Sequence, residues 1–193
     1  GEVERGESGG GGRGMGAGGG DGVGFAAVMN MADRADGRTG MGAVVGSKNL
    51  EAIAVGGRQR PEVFDGGALK AVAKWGAENT EDVMGGMTRL GTTGLIRTQQ
   101  GRGGLPGYNY DSGVFDDFEG ISGQTMCDTI LKGNDTCYAC TVRCKRVVEN
   151  EEGPYKLDPA YGGPEYESLS MLGSYCGISD LQASPLYPFD AAD

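Results

Sequence analysis

The sequence has no histidine, no surplus of basic charge and no long apolar run. Its 17 lysines and arginines face 27 acidic residues, a formal net charge of −10. A nucleic-acid surface needs clustered Lys and Arg to displace phosphate counterions, so no nucleic-acid partner is expected. A membrane-spanning helix needs roughly 18 or more predominantly apolar residues in a row, and no such stretch occurs. The N-terminus lacks the charged-then-apolar order of a secretory signal. The plain expectation is an acidic cytoplasmic protein with no membrane partner.

What is present is glycine and cysteine. Of 39 glycines, 13 fall within the first 24 positions, where little apolar material accompanies them, so residues 1–20 are expected to stay unstructured. Five cysteines, Cys127, Cys137, Cys140, Cys144 and Cys176, make an odd count, and three crowd into eight positions. That favours metal or redox chemistry over a disulfide scaffold.

Residues 25–32 read as the end of a helix that stops in the polar run DRADGR. The runs AVV (43–45) and AIAV (52–55), bounded by glycines, predict two buried strands joined by GSKN. A composition boundary sits near Arg60. Beyond it the pattern is helical, with Leu69, Val72, Ala73 and Gly76 on one face. Residues 101–113 carry glycines, Pro106 and Asn109 and read as a loop. Ser122 is placed to cap a helix bearing Met126, Ile130 and Leu131. A last helix is expected over 165–173, with Tyr166, Leu169 and Leu172 on one side. No internal repeat occurs. The fold class is α+β, with residues 1–20 unstructured, 21–60 the end of a sheet domain, and 61–193 a mostly helical domain.

The strongest chemical signal is CYACTVRC (137–144), a C-x2-C-x3-C run. Three thiolates so close can converge on one centre, and a cubane cluster or a zinc ion would need a fourth ligand from elsewhere. The second Cys pair of a zinc ribbon is absent, and the order is the reverse of a radical-SAM loop. A cluster, zinc and inert or thioredoxin-like thiols all stay open on spacing alone. Arg143, Lys145 and Arg146 can offset the charge of a thiolate-ligated cluster, or form a solvated basic face. In residues 34–48, closely spaced glycines let backbone N–H groups approach a phosphate, with Arg34, Arg38 and Lys48 adding charge. The Walker spacing is absent and no strand is predicted before the glycines, so a plain Gly-rich turn is the competing reading. Glu165, at the start of a helix near the cysteines, is either a proton-transfer group or a favourable first-turn charge.

Six ordered stretches carry a family resemblance: DRADGRTGMGAVVGSKNLEAIAV (33–55), LGTTGLI (90–96), LPGYNYDSGVF (105–115), ISGQTMCDTILKG (121–133), CYACTVRCKRVV (137–148) and YGGPEYESLSMLGSYCGISDL (161–181). Together they resemble the tungsten-containing aldehyde:ferredoxin oxidoreductases over residues 22–181. The resemblance implies tungsten, or molybdenum, held by two pterins beside a [4Fe-4S] cluster, with aldehydes oxidised to carboxylic acids and ferredoxin as acceptor. It implies Cys137, Cys140 and Cys144 as cluster ligands. It lays Arg34, Ala35, Arg38, Gly40, Gly42 and Lys48 against pterin phosphates and their bridging magnesium. Glu165 becomes the candidate acid/base, with Glu167 less favoured. A homodimer is left open.

Residues 1–20 and 182–193 carry no such resemblance, and the family's chains are several times longer. The expectation is therefore a partial oxidoreductase: a remnant of a pterin-cradling sheet domain at 21–60, then a truncated helical domain, with no turnover by the isolated chain. The competing class is a small electron-transfer or zinc module that recruits Cys127 or Cys176 as fourth ligand.

Overall fold

The computed structural model describes residues 11–30, 34–37, 39–55, 61–152 and 156–183. The chain divides into two compact units, one comprising residues through Glu62 and the other beginning at Val63, and each is described by itself. Helices and small sheets mix, as the α+β class requires. No helix among the described residues is long and apolar enough to cross a membrane.

The first unit is built on a sheet of β1 (Gly11–Met15), β2 (Val28–Asn30), β3 (Arg34–Asp36) and β4 (Ala52–Val55). The order is β3-β2-β1-β4 with every pairing antiparallel. Two short helices complete the unit, α1 (Ala17–Gly20) and α2 (Met41–Gly46). This corrects the expectation for residues 11–20. The glycine-rich β1 is an inner strand, Arg13 pairing with Asn30 on one side and Ile53 on the other. Its backbone groups are satisfied by two neighbours, so it needs no apolar side chains of its own. Residues 1–10 lie outside the described residues.

Two further expectations are corrected here. The stretch expected to end a helix instead supplies β2, because Val28 to Asn30 pairs with β1 and β3. The run AVV, expected as a strand, lies in α2, since a short apolar run does not distinguish strand from buried helix. Gly42 shows why the helix wins. Its N–H donates to Ala26 O at 2.8 Å, and a Cβ there would stand 2.4 Å from Ala27 O. AIAV is a strand as expected, β4, but every residue of it is exposed, not buried.

The second unit begins with α3 (Gly66–Leu90), whose N-cap Asp65 accepts from the N–H groups of Gly67 and Ala68. None of its residues is buried. Leu69 and Val72, on the apolar face read from the sequence, are 55% and 67% exposed. A 3-10 turn, Gly91–Gly94, leads into α4 (Leu95–Arg102), and α5 (Gly123–Thr129) follows with Ser122 Oγ capping Thr125 N–H. Next come an antiparallel hairpin of β5 (Leu131–Asp135) and β6 (Lys145–Val148), and then α6 (Tyr166–Met171). Leu131 opens β5 instead of ending the capped helix.

The core gathers Ile96, Leu105, Phe115, Ile121, Met126 and Leu169, none more than 1% exposed. Between α4 and α5, three consecutive non-glycine residues, Tyr108, Asn109 and Tyr110, hold φ of 48°, 61° and 63°. They are fastened to the turn Ser174–Cys176. Tyr108 N–H donates to Ser174 O and Asn109 N–H to Tyr175 O, Tyr175 Oη bonds Asn109 Oδ1, and the rings of Tyr110 and Tyr175 meet edge to face.

Candidate functional site

All three cysteines of the C-x2-C-x3-C run sit in the connection between β5 and β6, residues 136–144, closed by the pair Asp135 and Lys145. Cys140 N–H donates to Cys137 O at 3.0 Å, and Thr136 Oγ1 donates to Cys140 O at 2.5 Å. Ala139 and Arg143, each just before a cysteine, adopt left-handed φ of 55° and 53°. All five cysteines of the chain are free thiols, Cys137 exposed and Cys140 and Cys144 half-buried. Among the described residues no three His, Cys, Asp or Glu side chains are grouped to hold a metal ion. The loop keeps the three thiols on one stretch of backbone without gathering them.

Behind this loop lies Arg146, 1% exposed. Its Nη1 donates to Arg89 O at 2.6 Å, and its Nη2 to Thr88 O and Arg143 O at 3.0 and 2.8 Å. The first two acceptors are last-turn carbonyls of α3, so the guanidinium caps the negative end of that helix. Nε has no partner in good hydrogen-bond geometry, although the Cys127 thiol is a side-chain neighbour of the guanidinium. Burial lowers the Arg146 guanidinium from its ordinary value, opposed by the charges of Cys127, Cys144 and Glu165. Burial likewise pushes the Cys127 thiol up, against the pull of Arg146. The three basic residues thus do not form one solvated face: Arg143 is exposed and Lys145 half-buried, while Arg146 points inward. Gly91, at φ 61°, makes the approach feasible, since a Cβ there would stand 2.6 Å from Cys144 O and 3.3 Å from Arg146 Nε.

Glu165 stands at the N-cap of α6 and is half-buried. Its Oε2 accepts from Thr92 Oγ1, and Thr92 Oγ1 accepts from Tyr166 N–H at 2.9 Å. A hydroxyl has one proton. Because Thr92 accepts from the amide, its proton is committed to the carboxylate, and one side chain from the turn at 91–94 both caps α6 and orients Glu165. Val148 N–H donates to Gly162 O at 3.0 Å, so the segment before Glu165 lies along the free edge of β6. Glu167 is exposed in the first turn of α6.

In the first unit, Arg34 and Ala35 belong to β3. Gly40 precedes α2 with φ 66°, Gly42 is buried within it, and Lys48 follows it, exposed. Arg38 lies outside the described residues. A strand therefore does precede these glycines, contrary to the sequence expectation. It is three residues long and continues a glycine-rich sheet, so neither apolar period nor β-branched run marked it.

The aldehyde ferredoxin oxidoreductase N-terminal domain model matches residues 13–57, and the model of domains 2 and 3 of the same enzymes matches residues 69–185. The chain belongs to the aldehyde ferredoxin oxidoreductase family. The family likeness begins at residue 13 and reaches residue 185, wider at both ends than the motifs alone indicate. The tungsten-containing aldehyde ferredoxin oxidoreductase of Pyrococcus abyssi is 41% identical over 165 residues, covering 82% of this chain and 26% of that protein. Its counterpart in Pyrococcus furiosus is 38% identical over the same shares. The WOR-like subunit of an aliphatic sulfonate oxidoreductase from Pyrococcus furiosus is 32% identical over 81% of the chain and 25% of its own length. The chain spans about a quarter of the length of these curated relatives. Among solved structures, the active-site complex BamBC of benzoyl coenzyme A reductase with 1,5-dienoyl-CoA superposes with a TM-score of 0.63 at 17% identity, covering 95% of this chain and 29% of that one, a likeness of fold.

Within the second unit of this family member, Cys144, Arg146 and Glu165 are electrostatic neighbours. Sequence reasoning passed over Thr92 and read Arg146 as an exposed charge as readily as a cluster neighbour. The signal for Arg146 was period 2: in β6, Arg146 and Val148 are buried while Lys145 and Val147 are half-buried. Adjacent valines at 147 and 148 blur that alternation. Nothing in LGTTGLI marks which threonine reaches Glu165.

Proposed function

We propose that the chain forms part of an oxidoreductase that converts aldehydes to carboxylic acids at a tungsten, or molybdenum, bis-pterin centre and passes electrons through a [4Fe-4S] cluster to ferredoxin. The observation that carries this reading is that Cys144 of the three-cysteine loop and the Thr92-oriented Glu165 are both electrostatic neighbours of buried Arg146, in a chain of this family. Cys137, Cys140 and Cys144 supply three thiols, free of disulfides and on one loop. That donor set, with the partnerless Arg146 Nε behind it, suits an anionic thiolate-ligated cluster that takes its fourth ligand from elsewhere. Arg34, Ala35, Gly40, Gly42 and Lys48, with Arg38, would hold the pterin phosphates and their magnesium.

When bound, the metal–pterin group supplies the acceptor for the electron pair. Attack of water on the aldehyde carbon releases protons, and Glu165 accepts the first of them, its carboxylate aimed by Thr92. Exposed Glu167 is a first-turn charge of α6. The test is made in a complete enzyme carrying this segment. Glu165→Gln lowers turnover by about 10²–10⁴-fold, whereas Glu167→Gln leaves it nearly unchanged. Equal effects of the two substitutions refute the assignment.

A further inference from the structure

Arg146 is the largest side chain that the structure buries completely, and among the described residues no carboxylate lies within ion-pair distance of it. A buried charge without a counter-ion is costly. The C-terminal carbonyls of α3 and the carbonyl of Arg143 answer two of its nitrogens. They are dipoles, so the positive charge is answered only at a distance, by Glu165 and the neighbouring thiols, and no hydrogen-bond acceptor meets Nε.

The groups around it narrow what completes the site. The Cys127 thiol directs its proton at Arg89 O, 3.7 Å away, so as placed it is a neutral neighbour of Arg146. Glu165 acts on Arg146 through its charge, but its Oε2 is held by Thr92 and it makes no hydrogen bond to the guanidinium. Cys144, two residues away and on the same hairpin, is the remaining neighbour. Its carbonyl lies so close to Gly91 that no side chain fits between them.

We propose that Arg146 is a positioning and charge-compensating residue for an anionic iron–sulfur cluster on Cys137, Cys140 and Cys144. It pins the ligand loop to the end of α3 through Thr88 O, Arg89 O and Arg143 O, and presents the cluster with a fixed buried cation. The inference rests on the cluster assignment made above. A reduced cluster is more negative than an oxidised one, so a fixed cation stabilises the reduced form more and raises the potential. An arginine that only capped α3 would leave the potential alone.

The test uses a complete enzyme carrying this segment, reconstituted anaerobically with iron and sulfide, as wild type, Arg146→Met and Arg146→Lys. Far-UV circular dichroism checks folding, and bound iron, acid-labile sulfide, the visible spectrum and the midpoint potential are measured on each. The expected result is about tenfold weaker retention of iron against a chelator in the Met variant, with a more negative potential in the cluster that remains. The Lys variant keeps the charge and recovers the potential, while faster alkylation of apo Cys144 reports the loosened loop. Wild-type iron retention and potential in the Met variant would overturn the inference and leave the cluster assignment standing. Absence of iron and sulfide from the wild-type enzyme would overturn both.

Discussion

Replacing Thr92 by valine removes one hydroxyl and nearly preserves the shape of the side chain. Two hydrogen bonds go with it, the acceptor for Tyr166 N–H and the donor to Glu165 Oε2. Losing a cap of this kind costs about 1 kcal/mol. The bond to the glutamate is charge-assisted, but Glu165 is half-buried and water replaces part of it, so about 1 kcal/mol more is lost. The total of about 2 kcal/mol corresponds to a fall in melting temperature of about 4–8 °C for a chain of this size. Thr92→Ser keeps the hydroxyl, loses one methyl group, and costs less than about 1 kcal/mol. Far-UV circular dichroism is the appropriate assay, because the one tryptophan, Trp75, is 58% exposed on α3 and reports little of α6. Amide exchange at Tyr166 should accelerate in the Val variant alone. Should the Val variant melt with the wild type, or Ser and Val fall together, Thr92 would not hold Glu165 as described.

Three further outcomes follow from the same geometry. Gly91→Ala places a Cβ 2.6 Å from Cys144 O and should cost about 2–4 kcal/mol, visible as a lower urea midpoint and faster exchange in β6. Ile96→Ala, at a site with 0% exposure, should cost about 2–5 kcal/mol, while Leu69→Ala on α3 should stay within about 0.5 kcal/mol; comparable losses would mean α3 is packed after all. Burial raises the Cys127 thiol above its unfolded value, so the unfolded chain releases this proton first. Stability contributed by Cys127 is therefore complete below the ordinary thiol range and is lost as pH rises through it. Cys127→Ser should flatten the alkaline fall in melting temperature, and an unchanged alkaline slope would count against the burial described.

The parts of the fold legible in the sequence are those written in local chemistry. Ser122 caps α5 through its own hydroxyl, and Leu169 turns inward on α6, because caps and helical period depend on neighbours a few residues away. β1 escaped notice because its partners, Asn30 and Ile53, are distant in sequence and its glycines carry no pattern. The run AVV was ambiguous between two elements, and backbone contacts of Gly42 with Ala26 decided for the helix. In α3 the period was right, yet the apolar face lies exposed, since amphipathicity states which face is apolar and says nothing about what covers it. The cysteine loop and Glu165 were visible as residue types at a spacing. The link between them through Thr92 and Arg146 spans 50 or more residues in sequence, a distance over which no local rule operates.

The left-handed triplet Tyr108, Asn109 and Tyr110 has a consequence for motion. Each non-glycine residue held at positive φ raises the energy of the closed loop by about 1–3 kcal/mol, and its ties to Ser174 and Tyr175 offset that strain. Opening the loop therefore releases energy as it breaks bonds, and the free energy needed is smaller than the number of those bonds suggests. Residues 108–110 and the turn Ser174–Cys176 should open as one latch, earlier than the core around Ile96 and Leu169, with their amides exchanging together.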